Sequence, residues 1–472
     1  MKTIKITNTI IISQLVMMLV CIFTSGCKKF VDVDAPSNQL VTGTVFTNDN
    51  TVNSALAGMY NNFAISRSPD LQFSMSFLNG CAADEAQYST SGSEFDAFTL
   101  NGLQADNVYL SSMWTSCYSV VYQANAVIEG VNSSSGGISD AMKVEALGEA
   151  KFIRALCYFY LVNLWGDVPM PLSTDRSVNN SLSHSAKAIV YQQIIKDLNE
   201  AKGSLSANYS YSSGQRTRPN KYAAAALLAR AYLYIGDWAN AEANATLVIN
   251  AGSFSLLSTA NLNGIFVKNN AEAILQFDAS PSGTAGQGFT NEGESFALDI
   301  TTIPDFQLSS GLLKAFESGD RRYTNWVGTT TYQGTAYYYF SKYKQRVANT
   351  TAAGEYVTCL RLAEQYLIRA EARAKQANLT GAVADINVIR NRAGLLNTTA
   401  TLQSDILLAI EQERRIELFG EYGHRWNDLR RTGRANTVLG ALKSTWSAND
   451  ALYPIPKIEI QNNSNLSQNP GY

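Results

Sequence analysis

The chain has 472 residues, with 37 Lys and Arg against 39 Asp and Glu and a formal net charge of −2, which argues against nucleic acid as a partner. Charged residues make up only 16% of it, while 46% are hydrophobic, and the uncharged polar remainder is rich in Asn, Ser, Thr and Tyr. Two His and six scattered Cys offer none of the spacings that hold a transition metal, and no cofactor motif is present.

Residues 1–26 read as a lipoprotein signal peptide. Lys2 and Lys5 form a basic start, and Ile10 to Phe23 form an apolar run too short to cross a bilayer with ease. Thr24-Ser25-Gly26-Cys27 closes it with small residues and resembles a bacterial lipobox, in which the Cys27 thiol is lipidated and becomes the first residue; Thr24 stands where Leu is commonest. Loss of Lys2 and Lys5 takes the net charge from −2 to −4. Residues 27–40 are then a lipidated polar tether, and 41–472 a single body. The remaining cysteines, Cys81, Cys117, Cys157 and Cys359, fit no small disulfide framework; Cys117 and Cys157 fall on helical stripes as small hydrophobes.

Within the body, Val52, Ala55, Leu56 and Met59 share one helical face between Asn50 and Phe63. The stretch 67–107 lacks sustained periodicity and is predicted as a loop insertion, after which Trp114, Tyr118, Val121, Tyr122 and Asn125 mark the helix that pairs with the first. Gly136-Gly137 breaks the chain. Ile153, Cys157, Tyr160, Leu161 and Leu164 then form a stripe ended by Gly166, Pro169 and Pro171, with Ala186–Lys202 as its partner.

Residues 220–250 carry the plainest signal. Asn220 caps a helix bearing Ala225, Leu228, Ala229 and Tyr232, Gly236 stops it, and Trp238, Ala241, Ala245 and Val248 make a second stripe. Alanines at a crossing with large rings beside them follow tetratricopeptide logic, and one such hairpin cannot bury its apolar face alone. A fourth pair is read at 361–393, from Ala363, Tyr366, Ala370 and Ala374 and then Ala382, Ile386, Ile389 and Ala393. Between them, 251–355 is a second insertion with short alternating runs at Ala273–Phe277 and Tyr337–Tyr343 that suggest small strands. The predicted fold is mostly α: four tetratricopeptide-like helix pairs, approximately 50–130, 140–202, 220–250 and 361–393, with long irregular insertions holding minor β structure.

Four blocks carry a family resemblance: FIRALCYFYLVNLWGDVPMPL, YLIRAEARAKQANLTGAVADINVIRNRAGL, IEQERRIELFGEYGHRWNDLRRTG and YPIPKIEIQNNSNLSQNPGY. In this order they resemble the SusD/RagB family of surface lipoproteins. The resemblance implies a non-enzymatic protein on the outside of a Gram-negative outer membrane, lying over a SusC-like TonB-dependent transporter to which it delivers a captured glycan. In some members the ligand is peptide. It also implies that ligand contacts come from the insertions.

Glu413 and Glu417 lie one helical turn apart and could form the carboxylate pair of a glycoside hydrolase. The reading favoured here is a structural ion-pair network with Arg414, Arg415, Arg425 and Arg430. His424 has no neighbouring ligand residue and is expected to be a structural surface imidazole. Trp114, Trp165, Trp238 and Trp426 fall on or beside apolar stripes and read as core. Sugar rings stack on exposed aromatic rings and need amide, carboxylate or Arg partners around the rim. The ligand-binding candidates are therefore the insertion residues Tyr88, Phe95, Trp326, Tyr332, Tyr337, Tyr338 and Tyr339, with Asp84, Glu85 and Asp305 as partners for hydroxyls.

Overall fold

Wherever an apolar stripe is bracketed by a capping side chain and a stop, the chain forms a helix that folds back on its neighbour. The computed structural model describes residues 45–65, 71–278, 286–296 and 303–472. Cys27, the signal segment 1–26 and the tether 27–40 lie outside the described residues.

The first pair is α1 (Asp49–Ile65) and α2 (Val108–Ser133). Val52, Leu56, Met59 and Phe63 of α1 are buried at helical spacing, and the Asn107 side chain caps α2 by accepting from the backbone N–H groups of Tyr109 and Leu110. The second pair is α3 (Asp140–Trp165) and α4 (Lys187–Ser204). Every residue of α3 from Phe152 to Trp165 is buried, because α1, α2, α4 and the next helix all pack on it; a helix apolar all round belongs in a core. Arg154 of α3 forms a two-pronged pair with Asp197 of α4, both distances 2.8 Å, and donates to Asn125 of α2.

The third pair, α5 (Lys221–Ile235) and α6 (Trp238–Ile249), turns at Gly236 with φ +78°, conformational space that a side chain rarely adopts. Asn220 caps α5 through the N–H groups of Tyr222 and Ala223. Ala229, Leu233, Ala241 and Ala245 meet Ile368 and Ala372 of the fourth pair, with Tyr232 and Trp238 half-buried beside them. That pair is α7 (Leu362–Lys375) and α8 (Leu379–Arg392), extended by α9 (Gln403–Glu417) through Ala370, Ala374, Ala382, Ile386, Ile406 and Ile410. A short α10 (His424–Arg431) follows a tight turn. Trp114, Trp165 and Trp426 are buried as expected of core rings, and all four cysteines are buried and free.

The β structure is minor, three two-stranded antiparallel sheets among the described residues. β1 (Ala86–Tyr88) pairs with β3 (Phe306–Leu308), β2 (Ala273–Phe277) with β6 (Val357–Arg361), and β4 (Val327–Tyr332) with β5 (Thr335–Phe340). The β4–β5 hairpin turns on Gln333 and Gly334, with φ +48° and +80°, the two positive values of a type I′ turn.

The first insertion is not a loop throughout. Leu71–Ala82 is a helical run with a wider π turn at Ser74–Leu78, and every residue from Leu71 to Ala86 is buried. Phe73 packs on Phe306, and Phe77 on Phe340 at 5.0 Å. Protein encloses the segment on all sides, so it needs no polar face and shows no amphipathic period.

Candidate functional site

The register of β1 and β3 sets Tyr88 opposite Phe306, placing both rings on one face of the small sheet while Gln87 and Gln307 take the other. Phe95 comes from the following loop, which is tied down by Tyr88 N–H donating to Thr99 Oγ1 (3.1 Å), Gly92 N–H to the Asp96 carboxylate (2.9 Å) and Asn107 Nδ2 to the Glu94 carbonyl (3.0 Å). The cap at Asn107 sets Tyr109 in the first turn of α2, and its ring stacks on Phe95 at 4.0 Å and 11°. Tyr88 lies 5.0 Å from both Phe95 and the buried Phe306.

The result is a platform of three half-buried rings, Tyr88, Phe95 and Tyr109, on a buried Phe306 floor. Its rim is acidic. Burial, and next the Asp305 carboxylate, raise the Tyr88 phenol above its ordinary value; burial and Glu94 do the same for Tyr109. Asp305 and Glu94 are exposed, so carboxylate acceptors stand beside C–H-stacking faces, the pairing that a pyranose presents in reverse.

β5 runs beside β3, bringing the tyrosine hairpin next to this platform. Register places Tyr332, Tyr337 and Tyr339 on one face and Tyr338 with Phe340 on the other. Tyr339 lies over Gly328, where a Cβ would meet its ring at 2.3 Å, and Tyr338 joins the main core. Tyr332 and Tyr337, half-buried near the hairpin tip, are the rings least committed to packing.

Three candidates are corrected. Trp326 has no exposed surface: its indole N–H donates to the Leu262 carbonyl at 3.1 Å, and the Lys342 ammonium lies 4.6 Å from its ring centroid. Asp84 is buried between Arg425, at 2.7 and 3.0 Å, and Arg415, at 2.9 Å. Burial alone would raise its carboxyl, but Arg425 and Arg415 outweigh it and hold it below the ordinary value. A ligand reaches neither residue. Glu85 is buried too, and burial pushes its carboxyl up to about 8.

Glu413 and Glu417 are also inside. Glu417 accepts from Arg322 at 3.0 Å and from Arg361 and Arg392, while Glu413 pairs with Arg322. They form the predicted kind of network with other partners: Arg414 pairs with Asp428, Arg415 and Arg425 with Asp84, and Arg430 lies over Trp426. Arg322, Arg361 and Arg392 enclose Glu417, leaving no space there for a sugar and a water, which the hydrolase reading requires. His424 is buried rather than on the surface; burial, then Arg230 and Arg414, push its imidazole well below the ordinary range. Among the described residues, no three His, Cys, Asp or Glu side chains converge to hold a metal ion.

The sequence pattern does not single out Tyr109, because the apolar stripe of α2 is plain only from Trp114 onward. The signal was the Asn107 cap, which starts the helix early enough to put Tyr109 in its first turn and off the buried row of Leu110, Met113 and Cys117.

Residues 29–233 match a family described as starch-binding and associating with the outer membrane, and residues 314–472 match the SusD family. SusD-like protein P2 of Formosa agariphila is 30% identical, with 84% of this chain and 87% of that protein covered. A solved SusD superfamily protein from Bacteroides vulgatus shares the fold with a TM-score of 0.80 at 21% identity, over 91% of this chain and all of its own. A structure described as a laminarin-binding SusD-like protein has a TM-score of 0.74 at 25% identity, over 90% of this chain and 100% of that one.

Proposed function

The chain belongs to the SusD/RagB family, and from that premise we propose that it is a surface-exposed glycan-binding lipoprotein that captures oligosaccharide or polysaccharide at the Tyr88–Phe95–Tyr109 platform. It is held through Cys27 at the outer face of the outer membrane and delivers its ligand to a SusC-like TonB-dependent transporter. Binding is its whole chemistry; no catalytic step is involved. The observation that carries this reading is the platform itself, three partly open rings with exposed carboxylates at their rim, mounted on β1, a loop tied down by hydrogen bonds and the capped start of α2, over a floor from β3. A rigid mount lowers the ordering cost of binding. The description of one relative as laminarin-binding and of the matched family as starch-binding supports a glucan or similar glycan as ligand.

Titration calorimetry of the purified chain against starch, laminarin and other plant and algal glycans tests the reading. Phe95→Ala removes the central ring of the stack and is expected to weaken binding by about tenfold, the worth of roughly 1–1.5 kcal/mol for one aromatic stacking contact. Glycan affinity unchanged in Phe95→Ala and in Tyr88→Ala would remove the platform from the reading. Peptide binding without any glycan response would replace the ligand class.

A further inference from the structure

A cleft of about 660 Å³ is lined by none of the platform residues and falls within the roughly 300–1,000 Å³ of small-ligand sites. It opens between the outer face of α2, the segment after α3 and the helix Lys457–Asn462. Trp114, Tyr118 and Tyr122 follow one another along α2 at i, i+4 and i+8, and the row rises from core to solvent. Trp114 is buried edge-on against Trp165 at 5.2 Å, Tyr118 is half-buried with its hydroxyl donating to the Pro169 carbonyl at 2.7 Å, and Tyr122 is 44% exposed.

Polar groups around these rings are unspent. Arg176, Asn180 and Asn462 line the cleft, and among the described residues their side chains have no partner within the protein. In this chain most guanidiniums are closed in ion pairs, as Arg154, Arg230 and Arg361 are, so an open Arg at the lip of this cleft is a donor left for something else. Glu459 adds an acceptor, with burial raising its carboxyl and the Trp114 indole offsetting part of the rise.

We propose that this cleft is a second saccharide site, resting on the glycan-binding reading of the chain: a pyranose ring stacks on Tyr122, and its hydroxyls bond Asn180, Asn462, Arg176 and Glu459. Flat amide, guanidinium and carboxylate groups each reach two neighbouring hydroxyls, which a sugar offers around its whole rim. A peptide side chain would need a deeper apolar slot than rings and prolines make here. Two sites on one body let a long polysaccharide be held at two points, raising its retention without raising either affinity.

The test is calorimetry on the full chain in detergent with mixed oligosaccharides released from starch, laminarin and other plant and algal polysaccharides. Expected are two saccharides bound per chain, one in Phe95→Ala/Tyr109→Ala, and a further loss of at least about tenfold when Tyr122→Ala is added. Asn462→Ala, an exposed change that leaves the helix intact, is expected to weaken the same site. A single site abolished by Phe95→Ala/Tyr109→Ala and indifferent to Tyr122→Ala and Asn462→Ala overturns the second site and leaves the platform standing. No saccharide bound by the unaltered chain overturns both.

Discussion

Replacing Glu417 by Gln tests whether the paired carboxylates of α9 hold the fold together or do chemistry. Glu417 has no exposed surface, and its carboxylate accepts from Arg322 at 3.0 Å and from Arg361 and Arg392. A Gln keeps one acceptor oxygen and turns an NH₂ group toward guanidiniums, so at least one charge-assisted bond is lost and the buried cations lose an anion. Breaking such a buried pair costs roughly 3–5 kcal/mol. Arg361 retains Glu421 and Glu272, and Arg322 retains Asp320 and Glu413, which places the loss near the lower end, about 3 kcal/mol. Against a typical total of about 5–15 kcal/mol this is a fifth or more, readily seen in urea denaturation followed by tryptophan fluorescence at pH 7. Burial would raise the Glu417 carboxyl, but Arg392, Arg361 and Arg322 outweigh it and hold it far below the usual 4.5. Its stabilisation is therefore present above about pH 4.5 and lost as pH falls toward the folded value, so the gap between the two proteins should narrow on acidification. Equal stability at pH 7, or a gap that widens in acid, would refute the network. Glycan hydrolysis by the natural chain that disappears in a fully stable Glu417→Gln would restore the glycosidase reading.

Glu85 should behave in the opposite sense. Its carboxyl is held up to about 8 by burial, and among the described residues Oε1 has no partner and Oε2 is reached only by the Gly420 N–H at 3.3 Å; the folded chain thus keeps a proton that the unfolded chain releases above about pH 4.5. Stability from this group is complete below that pH and lost as pH rises through about 8, so Glu85→Gln should gain on the natural chain across that window, and parallel pH profiles would contradict it. Gly423 starts α10 at φ +66°, where a Cβ would lie 2.7–2.9 Å from Asn79 and the Met75 carbonyl. Gly423→Ala is expected to cost about 2 kcal/mol or more in the same denaturation assay, and a change below about 0.5 kcal/mol would show that the turn relaxes freely. Cys27→Ala should move the protein from the membrane fraction to the soluble fraction, and unaltered retention on membranes would rule out the lipid anchor.

Glu417 and Trp326 show where reading along the chain stops. The carboxylate's local neighbours Arg414 and Arg415 are its expected partners, yet Arg414 turns to Asp428 and Arg415 to Asp84, and its real partners arrive from residues 322, 361 and 392. Trp326 stands among Asn and Thr in an insertion, as a ligand-facing ring would, but the chain later supplies Phe419 and Lys342 to cover it. Tyr88 and Phe95 have the same local character and stay half open, packed against Tyr109 and the buried Phe306 without being covered.

The helix hairpins were determined along the chain itself. Asn220, Gly236 and the alanine rows act within a few residues of where they stand, through caps, turns and a 3.6-residue period that any solvent-facing helix must keep. The enclosed run from Leu71 to Ala86, the partners of the buried charges, and the choice of which rings remain open to a sugar were decided only in three dimensions. Burial depends on what the rest of the chain lays over a residue, and that information is carried by contacts between segments tens to hundreds of positions apart.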